Sequence, residues 1–180
     1  MVGAIEKRVS MTVFICGSTG RLGRSVAKVF EQEAKVVAPT RQELDLRSKD
    51  DIQEAIEANQ PSILINCAAW TDVDGCEKNP ELAKDLNSTL PQQLSELSKR
   101  VGAHLVHIST DFVFDGKTDI PYNEKQTPNP LSVYGQTKLD GEIGAGANAT
   151  IIRTSWLQAQ DGSNMVKWIL ENFKKTGPIE

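Results

Sequence analysis

Short apolar runs that alternate with segments of helical spacing constrain this chain more than any other feature. The runs are TVFIC at 12–16, KVVA at 35–38, SILIN at 62–66, LVHI at 105–108 and TIIR at 150–153. Runs this brief and continuous suit strands buried on both faces of a parallel sheet. Between and after them, apolar residues recur three and four apart: Leu22, Val26, Val29 and Phe30; Ile52, Ala55 and Ile56; Leu82, Leu86, Leu90, Leu94, Leu97 and Val101; Met165, Trp168, Ile169 and Phe173. That is the period of one helix face. With no internal repeat and no low-complexity insert, the alternation predicts an α/β fold, a doubly wound parallel sheet of the Rossmann kind with strand order 3-2-1-4-5.

Local signals place the ends. Ser48-x-x-Asp51 opens one helix and Pro61 closes it; Asn79 and Pro80 suit the N-cap and first position of another, which Gly102 stops. Pro91 falls inside that long stripe, where it cannot donate to the carbonyl of Asn87, so a kink is expected there. A polar group from the fourth strand is one candidate to meet the freed carbonyl.

The chain has 180 residues, enough for one domain with a sizeable core. Residues 1–10 (MVGAIEKRVS) read as a disordered extension ahead of a dinucleotide-binding domain at 11–180. They lack the apolar centre of a secretory signal, and no apolar stretch approaches the roughly 18 residues of a membrane span, so a cytoplasmic protein is expected. A net charge of -4, with no basic run longer than Lys174-Lys175, argues against nucleic-acid and membrane partners. Cys16, Cys67 and Cys76 are odd in number and lack metal-ligand spacing; they read as reduced thiols.

The first run enters Gly17-Ser18-Thr19-Gly20-Arg21-Leu22-Gly23, a GxxGxxG loop between strand and helix. Glycines there let the backbone approach a pyrophosphate, whose charge meets free N–H groups at the helix N-terminus. After the second run, an acid suits the ribose hydroxyls of NAD and an arginine suits the 2'-phosphate of NADP. Arg41 stands at that place, with Glu43 the nearest acid, so NADPH is expected, with NADH as the alternative. The small residues Ala68 and Ala69, after the third run, leave room for a cofactor to lie close.

HLVHIST runs into Asp111, which brings Ser109, Thr110 and Asp111 to the carboxyl end of a strand, the edge where ligands gather in open α/β sheets. Beyond a proline-rich loop, Tyr134 and Lys138 are four residues apart, on one helix face with Cβ atoms about 5 to 6 Å apart. A nearby ammonium favours the phenolate, so Lys138 is expected to lower the pKa of Tyr134 from about 10. Tyr134 can then serve as general acid to a carbonyl oxygen that Thr110 also holds. Taken alone, Tyr-x-x-x-Lys also fits a chance spacing on a solvated face. His104 and His107 have no partner at metal spacing and read as structural, and no metal site is expected.

Taken in order, GSTGRLG, NCAAWTDVDGCE, HISTDFVFDG, NPLSVYGQTKLDGE and IIRTSW resemble the dTDP-4-dehydrorhamnose reductase family of extended short-chain dehydrogenases over nearly all of residues 12–175. The resemblance implies NADPH- or NADH-dependent reduction of the 4-keto group of a dTDP-linked 6-deoxysugar. It implies Tyr134 as proton donor, Lys138 on the nicotinamide ribose, and Thr110 with Asp111 on the substrate. Gly20, Arg21 and Leu22 would meet the pyrophosphate, Asp45 and Leu46 the adenine end, Ala68, Ala69 and Trp70 the middle of the cofactor, and Trp156 the sugar. Trp70 departs from the smaller aromatic or His frequent in relatives. Relatives also continue past residue 180 into a part that completes the substrate lobe, so the chain is expected to be an amino-terminal portion with that lobe largely missing. Some relatives use Mg²⁺ at a subunit contact, for which no carboxylate cluster stands here, and an exposed edge or face would favour a homodimer. The alternative implied by resemblance is a non-catalytic, NADP-binding regulatory subunit similar to the methionine adenosyltransferase β subunit.

Overall fold

The computed structural model describes residues 11–158 and 165–173; the expected extension at 1–10 lies outside them. The strands are β1 (Thr12–Cys16), β2 (Lys35–Val37), β3 (Ile63–Asn66), β4 (His104–Thr110) and β5 (Thr150–Thr154). The helices are α1 (Arg21–Phe30), α2 (Lys49–Asn59), α3 (Val73–Lys78), α4 (Pro80–Lys84), α5 (Leu90–Val101), α6 (Val133–Ala145) and α7 (Met165–Phe173). Every apolar run becomes a strand, and all pair in parallel.

Their order is β2-β1-β3-β4-β5, which corrects the expected 3-2-1-4-5. The third run does not extend the sheet beyond β2; it pairs with the other edge of β1, Val13 opposite Ile63 and Ile15 opposite Ile65. Burial explains the choice. Val13, Phe14, Ile15 and Cys16 are all fully buried, so β1 needs a neighbour on each side. By contrast β2 is three residues long and opens with an exposed lysine, features of an edge strand. The Ser62 N–H donates to the Thr12 carbonyl at 2.8 Å and sets the β1–β3 register.

The order also decides which face each helix covers. The chain moves one way from β1 to β2 and the opposite way through β3, β4 and β5, so right-handed crossovers put α1 on one face and the later helices on the other. Val13, Ile15 and Ile65 accordingly pack against Val26, Ala27 and Phe30 of α1. On the opposite face Phe14, Leu64 and Leu105 join Ile52 and Ile56 of α2, Leu90, Leu94 and Leu97 of α5 and Ala145 of α6. The direction reverses between β1 and β3, and that junction opens the crevice where ligands bind in such sheets.

The Ser48 side chain accepts from the Asp51 N–H, and left-handed Gln60 and Gly102 end α2 and α5. Asn79 is the N-cap residue of α4 but its side chain makes no cap bond, and the short helix α3, capped by Asp72, was not expected. Pro91 produces a π turn at Asp85–Thr89 where a kink was expected. The Asn87 carbonyl that it leaves faces Gly141 of α6, so closely that a Cβ at 141 would overlap it. Backbone of α6, not a polar group of β4, covers this carbonyl. In α7, Met165, Trp168, Ile169 and Phe173 are all exposed.

Candidate active site

A cleft of about 620 Å³ opens at the β1–β3 junction, within the size range of small-molecule and cofactor sites. It is lined by Gly17, Thr19 and Gly20 of the glycine loop, by Arg41, Asp45 and Leu46 after β2, and by Ala68, Ala69 and Trp70 after β3. Three stretches far apart in the chain thus meet around one space. Gly17 has φ +79°, and the Ser18 hydroxyl donates to the Pro39 carbonyl at 2.7 Å, tying the loop to the end of β2. Of the other expected cofactor residues, Gly23 is buried beneath the loop and Leu22 is half-buried on α1. Arg21 is exposed and donates to the Leu157 carbonyl at 2.8 Å.

The rim is cationic. Arg41 is exposed, and Arg47, which the sequence did not single out, also lines the cleft and bonds Asp45 at 2.9 Å. Those hydrogen bonds from Arg47 lower the pKa of the Asp45 carboxyl. Glu43, the acid nearest Arg41, turns back to accept from the Thr40 N–H at 2.8 Å, which lowers its own pKa. Its carboxylate is therefore already engaged.

The second group of residues gathers at the end of β4. Thr110 donates to Asp111 at 3.1 Å and accepts from the Phe112 N–H at 3.2 Å, and Asp111 accepts from Ser155 at 2.8 Å. Trp156, next to Ser155, is exposed at a φ of +49°. The ring of Tyr134 is buried, edge-on to Phe112 at 5.5 Å, in a cluster that includes Trp70 and Cys76. Trp70 belongs to both groups, so it connects the cleft to Tyr134.

Electrostatics at this end departs from expectation. Lys138 does not lower the pKa of Tyr134. Burial raises the phenol's pKa, partly offset by a hydrogen bond with Thr110 and reinforced by the negative charge of Asp111. The reason is geometric: the Lys138 amine lies inside, 2.6 Å from the Ile108 carbonyl and 3.4 Å from His107 Nε2. Lys138 is itself almost wholly buried, and desolvation brings its pKa down to about 8. A phenol with a raised pKa keeps its proton at neutral pH, which suits an acid in the reducing direction.

Two asparagines behind the site, Asn66 and Asn87, were not anticipated, although each is a polar residue within an otherwise apolar pattern. Asn87 accepts from the Trp70 N–H at 2.8 Å and donates to the Trp70 carbonyl at 3.0 Å. It thereby pins the backbone between β3 and α3. Replacing Asn87 by Ala leaves both groups without this partner, at about 1–3 kcal/mol each. We expect a urea midpoint lowered accordingly; an unchanged midpoint would mean that Trp70 is held by other contacts. Among the described residues no cluster of His, Cys, Asp and Glu could hold a metal ion, and no helix is long and apolar enough to cross a membrane. Burial raises the pKa of Cys16 to about 12 and that of Cys67 to about 11, so neither thiol is activated.

Known proteins share this sequence pattern and fold. The chain is 35% identical over 177 residues to a dTDP-4-dehydrorhamnose reductase of Salmonella typhimurium, covering 92% of this chain and 58% of that protein. It is 37% identical over 175 residues to a probable dTDP-4,6-dihydroxy-2-methyloxan-3-one 4-ketoreductase of Streptomyces antibioticus, covering 94% and 59%. The crystal structure of a dTDP-4-dehydrorhamnose reductase from Bacillus anthracis in complex with NADP superimposes with a TM-score of 0.89 at 33% identity, covering 94% of this chain and 62% of that one. The chain thus spans somewhat under two thirds of the length of these proteins. The family model described as the RmlD substrate binding domain matches residues 11–180, and the chain belongs to that family.

Proposed function

We propose that this chain is the nicotinamide-binding and acid-bearing portion of a carbonyl reductase that acts on the 4-keto group of a dTDP-linked 6-deoxysugar, with NADPH as its preferred reductant. The observation that carries the reading is the convergence of glycine loop, cationic rim and Ala68–Trp70 on one cleft that Trp70 joins to Tyr134. Gly17, Thr19, Gly20 and Gly23 would form the pyrophosphate cradle with Arg21 and Leu22. Arg41 would face the 2'-phosphate, Asp45 and Leu46 the adenine end, and Ala68, Ala69 and Trp70 the middle.

A reduced nicotinamide bound in this cleft would supply hydride to the carbonyl carbon. Thr110 orients the carbonyl oxygen, Tyr134 delivers its phenolic proton to it, and Lys138 supports Tyr134 and holds the nicotinamide ribose. Asp111 and Trp156 would flank the sugar.

NADPH oxidation that depends on a dTDP-4-keto-6-deoxysugar tests the proposal; no oxidation with any such sugar overturns it. Tight NADPH binding with no turnover, together with retention of a partner enzyme, would favour the regulatory-subunit alternative. We further expect Arg41→Ala to weaken NADPH, with NADH little changed, by about tenfold, the value of one charge-assisted hydrogen bond. Calorimetry showing equal loss for both cofactors would reject the role of Arg41.

A further inference from the structure

Behind the Tyr134–Lys138 helix a chain of polar atoms reaches Lys138 through Asn66 and His107, two residues that the proposed reaction leaves unused. The Ala68 N–H donates to Asn66 Oδ1 at 3.0 Å. Asn66 Nδ2 lies 3.1 Å from His107 Nδ1, and His107 Nε2 lies 3.4 Å from Lys138 Nζ, which is 2.6 Å from the Ile108 carbonyl. Asn66 and His107 are fully buried and Lys138 is 1% exposed, so each hydrogen must find its acceptor inside.

The direction of every bond follows from the first. A backbone N–H can only donate, so the atom of Asn66 that meets it is the carbonyl oxygen, and the amide nitrogen faces His107. That nitrogen can only donate, which makes His107 Nδ1 the acceptor. A neutral imidazole that accepts at Nδ1 carries its proton at Nε2. The Nε2–H then points at Lys138 Nζ. An ammonium has no lone pair to receive it, whereas an amine does, and the amine still has an N–H for Ile108.

We propose that Asn66 and His107 are positioning residues which favour the amine form of Lys138 in the cofactor-free site, so that protonating this lysine requires it to leave His107. The proposal rests on the reading of Lys138 as the lysine of a reductase, and it adds how that lysine is set. Acceptors that reach Nζ, such as ribose hydroxyls, would free it from His107 and favour uptake of a proton. Cofactor binding and lysine charge are then coupled.

The surrounding charges are consistent with this. Desolvation depresses the His107 pKa to about 3, so the imidazolium is not formed near neutrality. For Lys138 the depressed pKa means amine above about pH 8 and ammonium below it. Glu142, one turn along α6, pulls the other way but is engaged by Arg153 of β5 at 2.9 Å, and the Cys67 thiol on the β3 side has its pKa raised by burial. Protonation at lower pH should therefore be accompanied by loss of the His107 contact.

The experiment is an NMR titration of the cofactor-free chain labelled with ¹⁵N-histidine and ε-¹³C-lysine, with Lys138→Met used to assign the lysine signal. The expected result is His107 as the Nε2–H tautomer at pH 9, with Lys138 titrating well below the ordinary lysine value of about 10.4. In Asn66→Asp a carboxylate accepts from both Ala68 and His107 Nδ1–H, which turns Nε2 into an acceptor; the Lys138 midpoint should rise by about one pH unit or more, a tenfold gain in proton affinity. An Nδ1–H tautomer or an imidazolium in the wild type overturns the proposal, and so does a lysine that titrates at its ordinary value. The wild-type readings stand even if the variant fails to fold. The Nε2–H tautomer and lowered lysine in a chain without reductase activity would support this proposal and sink the proposed function. An active reductase with His107 in the Nδ1–H form would do the reverse.

Discussion

Tyr134→Phe is expected to lower ketosugar-dependent NADPH oxidation by about 10² to 10⁴, the usual contribution of a positioned general acid. The phenyl ring keeps the edge-on contact with Phe112 and the packing around Trp70, so the fold should survive. Loss of the hydroxyl removes a polar tip near Thr110 and leaves the surrounding packing in place. The variant should therefore show a small change in thermal midpoint and a large change in rate. Rates equal in both proteins would remove Tyr134 from the chemistry. The raised pKa of the phenol adds a condition: wild-type activity should not depend on deprotonating Tyr134 near neutral pH, because burial keeps its proton in place.

Gly23→Val should have an effect of similar consequence through packing alone. A Cβ at position 23 would overlap the Gly17 carbonyl, and the loop has little room to yield. Gly17 accepts from the Gly20 N–H at 3.0 Å, lies against the Ala68 backbone, and holds a positive φ that disfavours a side chain. Overpacking of this kind costs about 1–3 kcal/mol. We expect a lower urea midpoint together with loss of NADPH binding measured by calorimetry, since the atoms displaced are those that line the cleft. Unchanged stability and affinity would show that the loop and α1 can separate without cost.

Several features were legible in the sequence because short-range chemistry determines them. Apolar runs buried on both faces announce parallel strands whatever lies beside them, and Ser48, Asn79, Pro80 and Gly102 mark helix ends through local backbone demands. The glycine loop and the Tyr134–Lys138 spacing likewise identify a strand-to-helix turn and a helix face. Strand order is different in kind. It depends on which edge of β1 is left unpaired, and only the complete burial of Val13–Cys16 and the brevity of β2 show that the third run must pair there.

The state of the site was also beyond reach of the sequence. Spacing placed Lys138 one turn from Tyr134, yet its amine turns toward Ile108 and His107, because side-chain direction responds to acceptors that other strands supply. His107 read as structural. Its partner Asn66 is distant in sequence and adjacent only across the β3–β4 ladder, where the two residues are paired. The sequence by itself determined which elements form and which side chains are candidates for chemistry, since propensity, capping and motif spacing act over a few residues. Only the tertiary structure decided strand order, the joining of the cleft to Tyr134 and the direction of the buried hydrogen bonds, because these depend on burial and partners brought together from distant parts of the chain.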